Sequence, residues 1–239
     1  MIHVFGAPDP PAPRLVERLR ARAIAPAAGG GAGAAHAAGA GAGSDSAGPA
    51  TLVLGATPLD ALALGVLVGG WRKARGARLL VLSALGAHPD AQSPRLRALW
   101  ELEEQARGFA LPVLVLRLAP LVGRDSPFWR KLATGPRLPR GGRALLQPVV
   151  EDDVVRTLER AFDDDAPWSG WFEVAGPEVL SLAELADLAR ASRGASRVKG
   201  AWEPPLGELD EHRLAEPEPW RERFGIEPRR VAEEAATWR

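Results

Sequence analysis

The sequence predicts an α/β protein built on a doubly wound, mostly parallel sheet, and three observations carry that expectation. Short apolar runs alternate with longer stretches of helical periodicity from residue 51 to residue 123. Most of those runs, "LLVLS" and "VLVLRL" among them, are apolar at consecutive positions instead of every second one. Strands of that kind are buried on both faces, as they are when helices cover both sides of a parallel sheet. At 239 residues the chain also suffices for one such domain, or one domain with a small appended lobe.

Taken in order, residues 2–5 read as a short buried strand. Residues 13–22 read as a helix with Leu15, Val16 and Leu19 on one face, and "ARAIAP" (21–26) holds a second short strand. Residues 27–50 are almost entirely glycine and alanine, which cost ordering entropy and bring little apolar area, so they are expected to form a flexible surface insert. A strand, "TLVLGA" (51–56), then leads into an apolar helix over 58–75, and a buried strand runs over 77–87. Ser93 and Pro94 open a helix to residue 108, with Leu96, Leu99 and Trp100 on one face. Residues 111–123 are a strand and its exit loop, 126–134 a short helix and 143–149 a strand. The helix at 151–162 starts with "EDD" and turns Val154, Val155, Leu158 and Phe162 inward. A strand at 170–176 precedes a helix at 181–191 that Ser181 and Glu184 open as a capping box. Residues 196–239 are expected to hold a strand, a proline-rich turn and one or two short helices, and no internal repeat is present.

Thirty basic and thirty acidic residues cancel, so no global charge favours nucleic acid or an anionic membrane. Cysteine is absent, which removes disulfides, thiolate chemistry and thiolate-bound metals, and favours the cytoplasm. No basic and apolar leader opens the sequence, and its most apolar window, residues 59–71, carries Asp60 and is too short to cross a bilayer. His3, His36, His88 and His212 lack metal-site spacing. "EDD" (151–153) is read as carboxylates satisfying the N–H groups of a helix start, "DDD" (163–165) as a solvated turn, and "RDSPFWRK" (124–131) carries little argument for nucleic acid. Trp100, Trp129, Trp168, Trp171, Trp202, Trp220 and Trp238 supply core, and at least one of them is a candidate for a protein interface.

Four segments, in order, carry a family likeness. "LLVLSALGA", "LPVLVLRLAPLVG", "LLQPVVEDDVVRTLERAF" and "FEVAGPEVLSLAELADLA" together cover roughly residues 51–190. They resemble the extended and atypical short-chain dehydrogenase/reductase superfamily, in particular its NAD(P)-binding, epimerase-like and NmrA-like branch. The resemblance implies a Rossmann-like core over 1–175, interrupted by the insert at 27–50, with a small C-terminal α+β lobe over 176–239 that does not stand alone. It also implies a cofactor pocket lined by Gly6, Ala7, Asp9, Gly55, Ala56, Thr57, Ser83, Arg117, Leu118, Ala119 and Pro120.

This sequence departs from the family at two places. The family's first strand ends in a turn of the form GATGxxG, where backbone N–H groups and a helix N-terminus hold a diphosphate. Here the turn reads "GAPDPPAP": Asp9 stands at the second glycine and Ala12 at the third. Proline at 8, 10, 11 and 13 removes most of the amide donors. A carboxylate about 4 Å from a phosphate adds roughly 4 kcal/mol of repulsion at an effective dielectric near 20, about three decades in affinity. The second departure is the family's Tyr-x-x-x-Lys pair, where Arg95 and Leu99 stand instead, and tyrosine is absent from the whole chain. Arginine is a poor proton carrier near neutral pH, and leucine is none. Ser83 keeps the family's serine position; without a base it is read as a strand-end serine bonded to nearby backbone. Arg95 is read as part of a solvated helix face, with an anion or a partner's carboxylate as the alternative.

The sequence therefore leads first to a non-catalytic Rossmann-like protein that acts by binding, as accessory subunit, scaffold or regulator. A protein partner is expected; a cofactor, a metal, nucleic acid and a membrane span are not, and self-association is open. The alternative is an oxidoreductase or epimerase that holds NAD or NADP atypically, and a second alternative is a nucleotide or metabolite sensor without turnover. The vestigial catalytic positions are Ser83, Arg95 and Leu99.

Overall fold

Ten strands and six helices of the chain are assigned in a computed structural model that describes residues 2–5, 24–26, 51–54, 64–65, 68–70, 78–162, 168–193 and 206–238. The strands are β1 (Ile2–Phe5), β2 (Ile24–Pro26), β3 (Thr51–Leu54), β4 (Arg78–Ala84), β5 (Val113–Leu118), β6 (Leu121–Val122), β7 (Leu145–Leu146), β8 (Val149–Val150), β9 (Trp171–Val174) and β10 (Leu180–Ser181). The helices are α1 (Pro94–Gly108), α2 (Pro127–Ala133), α3 (Glu151–Phe162), α4 (Leu182–Arg193), α5 (Glu218–Phe224) and α6 (Val231–Thr237), with further helical residues at 64–65 and 68–70. The helix expected at 13–22, the insert at 27–50, the acidic turn at 163–165 and the strand expected after 196 lie outside the described residues.

Six strands form one sheet in the order β2-β1-β3-β4-β5-β9, and every pairing is parallel. The chain moves outward from β1 to β2 and then returns to β1's other side with β3. That reversal is a topological switch point, and in open parallel sheets ligands sit at the carboxyl ends of the strands beside it. The fold thus confirms the parallel sheet expected from the apolar runs.

Alternate residues of β4 and β5 build separate cores. Leu79, Val81, Val113 and Val115 meet Leu96, Leu99, Leu102 and Ala106 of α1 on one face. Leu80, Leu82, Leu114 and Leu116 meet Val154, Val155 and Leu158 of α3, with Trp220 and Phe224 of α5, on the other. Both helix starts follow from their sequences. Ser93 Oγ accepts from the N–H of Leu96 at 3.4 Å and Ser126 Oγ from that of Trp129 at 3.2 Å, each with a proline next in the chain. A third core joins Phe128, Trp129 and Leu132 of α2 to Leu182, Leu185 and Ala189 of α4 and Val231 and Ala235 of α6.

Two local readings need correction. The strand expected over 143–149 is broken into β7 and β8, which pair with β10 and β6 respectively. Pro148 has no N–H for a ladder, and Gln147 turns its side chain to the backbone, donating to the carbonyl of Gly176 at 2.9 Å and accepting from the N–H of Ala215 at 3.0 Å. The "EDD" carboxylates are also not spent on their own helix start alone. Asp153, fully buried, accepts from the backbone N–H of Arg229 at 2.7 Å and from the Arg156 guanidinium at 2.6 Å, so α3 fastens the approach to α6.

Trp220 ties α5 to α3. Its ring is fully buried, and its indole N–H donates to Thr157 Oγ1 at 3.0 Å, while that hydroxyl donates to the carbonyl of Asp153 at 2.8 Å. Trp220→Ala is expected to lower unfolding free energy by about 3–5 kcal/mol in urea titration. Thr157→Val, which keeps the shape and strands the indole N–H, is expected to cost about 1–3 kcal/mol.

The capping box at α4 is present as expected. Glu184 Oε2 accepts from Ser181 N and Oγ, each at 2.7 Å, and Ser181 Oγ accepts from the N–H of Glu184 at 3.2 Å. These bonds, the hydroxyl first and the backbone N–H second, hold the Glu184 carboxyl below its ordinary value of 4.5. A depressed carboxyl pKa stabilises the folded state above the unfolded value and loses that contribution as pH falls through the folded one. Glu184→Gln is therefore expected to be less stable than the native chain at pH 6. The two urea curves should converge well below pH 4.5.

Candidate functional site

The carboxyl ends of β4, β5 and β9 set the described part of the candidate site. Ser83, Arg117 and Glu173 are in register across these strands, so their side chains form one row on the α1 face of the sheet. Ser83 is 1% exposed, and its Oγ has no hydrogen-bond partner. The sequence reading of a serine bonded to nearby backbone is corrected here: the hydroxyl is buried and unspent. Gly6, Ala7, Asp9, Gly55, Ala56 and Thr57 lie outside the residues described for side-chain or backbone placement.

Arg117 turns from this row toward α1. Its Nε and Nη2 fork onto the carboxylate of Glu103, at 3.0 Å to Oε1 and 2.7 Å to Oε2, and Arg107 adds a longer contact at 3.3 Å. Glu103 is fully buried. The other side of the Arg117 guanidinium lies over the Trp171 ring at 4.5 Å, and Trp171 itself is 49% exposed at the sheet edge. Leu118, Ala119 and Pro120 contribute backbone: Leu118 O accepts from Leu85 N at 2.8 Å, Ala119 N donates to Val174 O at 3.0 Å, and Pro120 O accepts from Val149 N at 3.1 Å. These bonds splice the end of β5 to its neighbours and hold the floor of the site rigid.

At the amino end of α1, Arg95 is not a solvated residue. Its Nη1 donates to Glu208 Oε2 at 3.0 Å, and the other oxygen of that carboxylate accepts from Ser93 Oγ at 2.5 Å. The carboxylate anticipated as a partner's belongs to this same chain. Leu99, one turn on, is fully buried among the apolar residues beneath α1. The structure thus brings Ser83, Arg117, Leu118, Ala119 and Pro120 to one sheet edge. It pairs Arg95 with Glu208 and buries Leu99 in the core beneath α1.

Two site residues escaped sequence reasoning. Glu103 had a legible signal: it falls between Leu99, Leu102 and Ala106 on the buried stripe of α1, where a carboxylate demands a paired cation. Glu208 had none, since its partners lie more than a hundred residues away. No group of three His, Cys, Asp or Glu suited to a metal occurs among the described residues. Among them, no helix is long and apolar enough to cross a membrane.

No protein-family model matches the chain, and no curated protein sequence matches it. Solved structures do. MoeE5 in complex with UDP-glucose and NAD superposes with a TM-score of 0.67 at 15% identity, covering 99% of this chain and 96% of that one. The UDP-glucose 4-epimerase of Thermotoga maritima, with UDP-glucose, gives 0.65 at 15% identity over 100% of this chain and 97% of its own. A short-chain dehydrogenase/reductase superfamily protein of Agrobacterium tumefaciens with bound NAD gives 0.62 at 15% identity, over 99% and 95%. At such identities the likeness establishes the fold alone: this chain has a Rossmann-type parallel α/β fold, as the sequence blocks implied.

Proposed function

We propose that this protein is an NAD(P)-linked oxidoreductase or epimerase with an atypical site, holding its dinucleotide at the carboxyl edge of the sheet beside Ser83. One observation supports this most directly: the Ser83 hydroxyl is buried at the end of β4 without a hydrogen-bond partner. An unsatisfied buried hydroxyl costs about 1–3 kcal/mol, and a ligand at that edge removes the cost by bonding to it. The fold adds support, because its solved neighbours hold NAD, a nucleotide sugar or both.

The described residues suit binding better than proton transfer. A bound nicotinamide supplies hydride exchange with a carbinol or carbonyl carbon. Ser83 can hydrogen-bond a ligand oxygen there. Arg95 is tied to Glu208 and Leu99 is apolar, so this reading requires a proton carrier other than tyrosine. The proline-rich turn at 6–13 keeps too few amides for the usual diphosphate contacts, so the pose is shifted relative to the family's.

A second reading rests on a separate observation, the locking of Arg95 by Glu208 together with the burial of Leu99. Under it the chain acts through binding alone, as accessory subunit, scaffold, regulator or nucleotide sensor, with the exposed Trp171 as a contact for a protein partner.

Titration of NADH and NADPH, read by quenching of tryptophan emission and by calorimetry, separates these readings. Saturable binding is expected, with Ser83→Ala weakening it by about 5–10-fold, the effect of one neutral hydrogen bond. No saturation with either nucleotide removes the cofactor reading and leaves the binding-protein one. Saturation without hydride transfer to any nucleotide sugar favours the sensor.

A further inference from the structure

We propose that the outer edge of β9 is a docking surface for a second copy of this chain, the two β9 strands pairing antiparallel about a two-fold axis at Phe172. The proposal goes beyond the site at Ser83 and holds whether or not a nucleotide binds there.

The register fixes which backbone groups face outward. Val115 N donates to Gly170 O and Ala119 N to Val174 O, each at 3.0 Å, with Val115 opposite Trp171 and Arg117 opposite Glu173. Successive residues of a parallel strand turn their backbone groups to alternate sides. Phe172 and Val174 therefore spend theirs on β5, and the N–H and C=O of Trp171 and Glu173 point away from the sheet. β9 is the last strand of that sheet, and the described residues offer these outward groups no partner. The edge is also open to solvent: Ser169 and Gly170 are exposed, and so is half of Trp171.

The two margins of the sheet are guarded differently. β2, at the far margin, closes with Pro26, which has no N–H to offer a further strand. β9 reads "WFEV" and has no proline. Its one charge is drawn away, since Glu173 Oε2 accepts from the N–H of Glu216 at 2.9 Å. α5 packs Phe224 on Phe172, and it shares its core with Leu114 and Leu116 of β5, so it lies over the sheet and leaves the margin free.

A second copy fits this margin by symmetry. With Phe172 on the axis, Trp171 stands opposite Glu173 of the other copy, and Glu173 opposite its Trp171. Residues facing each other in this way exchange both of their N–H···O bonds, so every outward donor of both copies meets an acceptor. On the face that α1 covers, the Trp171 ring is backed by the Arg117 guanidinium at 4.5 Å. The Glu173 carboxylate of the other copy comes beside that ring, so cation, ring and anion follow one another across the seam.

Sedimentation of the full chain from micromolar to submillimolar concentration is expected to show a monomer–dimer equilibrium. Glu173→Pro removes an outward N–H and the bond to Glu216 and spares the ladder to β5; Glu173→Ala removes only the bond to Glu216. The proline variant should dissociate about tenfold more readily than the alanine one, because each dimer loses two hydrogen bonds. The chain has no cysteine, so Phe172→Cys places a single thiol on the axis, where facing Cα atoms stand about 4.5 Å apart and admit a disulfide. Mild oxidation should join two copies through it. Ser169→Cys, about 20 Å from its mate, should stay unlinked. Thermal unfolding of each variant checks that the fold persists. A native chain that stays monomeric throughout overturns the proposal. So do equal dissociation constants for the proline and alanine variants, or linkage at 169 without linkage at 172, which places the contact on another surface.

Discussion

The forked ion pair between Glu103 and Arg117 is the constraint on which the site's geometry depends. A fully buried carboxylate in a helix is tolerable only when its charge is met, and Arg117 meets both oxygens while Arg107 contacts one. Removing either member of such a pair typically costs about 3–5 kcal/mol, because the survivor is left uncompensated. The pair joins the middle of α1 to the end of β5, and Trp171 on the edge strand closes over the guanidinium. With that joint in place, α1 has one orientation on the sheet. Ser93 and Arg95 then stand beside the β4 exit turn, and Leu99 points into the core.

From that joint outward, the described groups at the carboxyl ends of β4 and β5 are mostly spent within the protein. Arg117 braces a helix, Arg95 pairs with Glu208, Leu99 fills the core, and the backbone of 118–120 splices strands. Ser83, at the end of β4, has a buried hydroxyl with no hydrogen-bond partner. The described part of the edge therefore combines an Arg95 paired with Glu208 and a Leu99 in the core with a buried, unpartnered Ser83 hydroxyl.

Much of this was legible in the sequence, for physical reasons that differ by element. β4 and β5 announce themselves because apolar residues at consecutive positions fit only a strand covered on both faces. α1 and α2 are marked by Ser-Pro at their starts, and α4 by Ser181 and Glu184, since caps are local and written in adjacent residues. The break at Gln147 and Pro148 was missed because an apolar run conceals a proline's missing donor until its ladder partner is known. The role of Asp153 was half seen: its place in a first turn is local, but its bond to the Arg229 amide spans seventy-six residues. Glu208 illustrates the limit most plainly, since nothing near it in the chain indicates Ser93 or Arg95.

The central claim is that a dinucleotide lies at this edge in a pose anchored near Ser83 instead of on the first turn. A crystal structure of the protein grown with saturating NAD tests it most directly. The account predicts the ligand within hydrogen-bonding distance of Ser83 Oγ, with its diphosphate away from the amides of residues 6–13. A diphosphate seated on those amides, with Ser83 untouched, would contradict it.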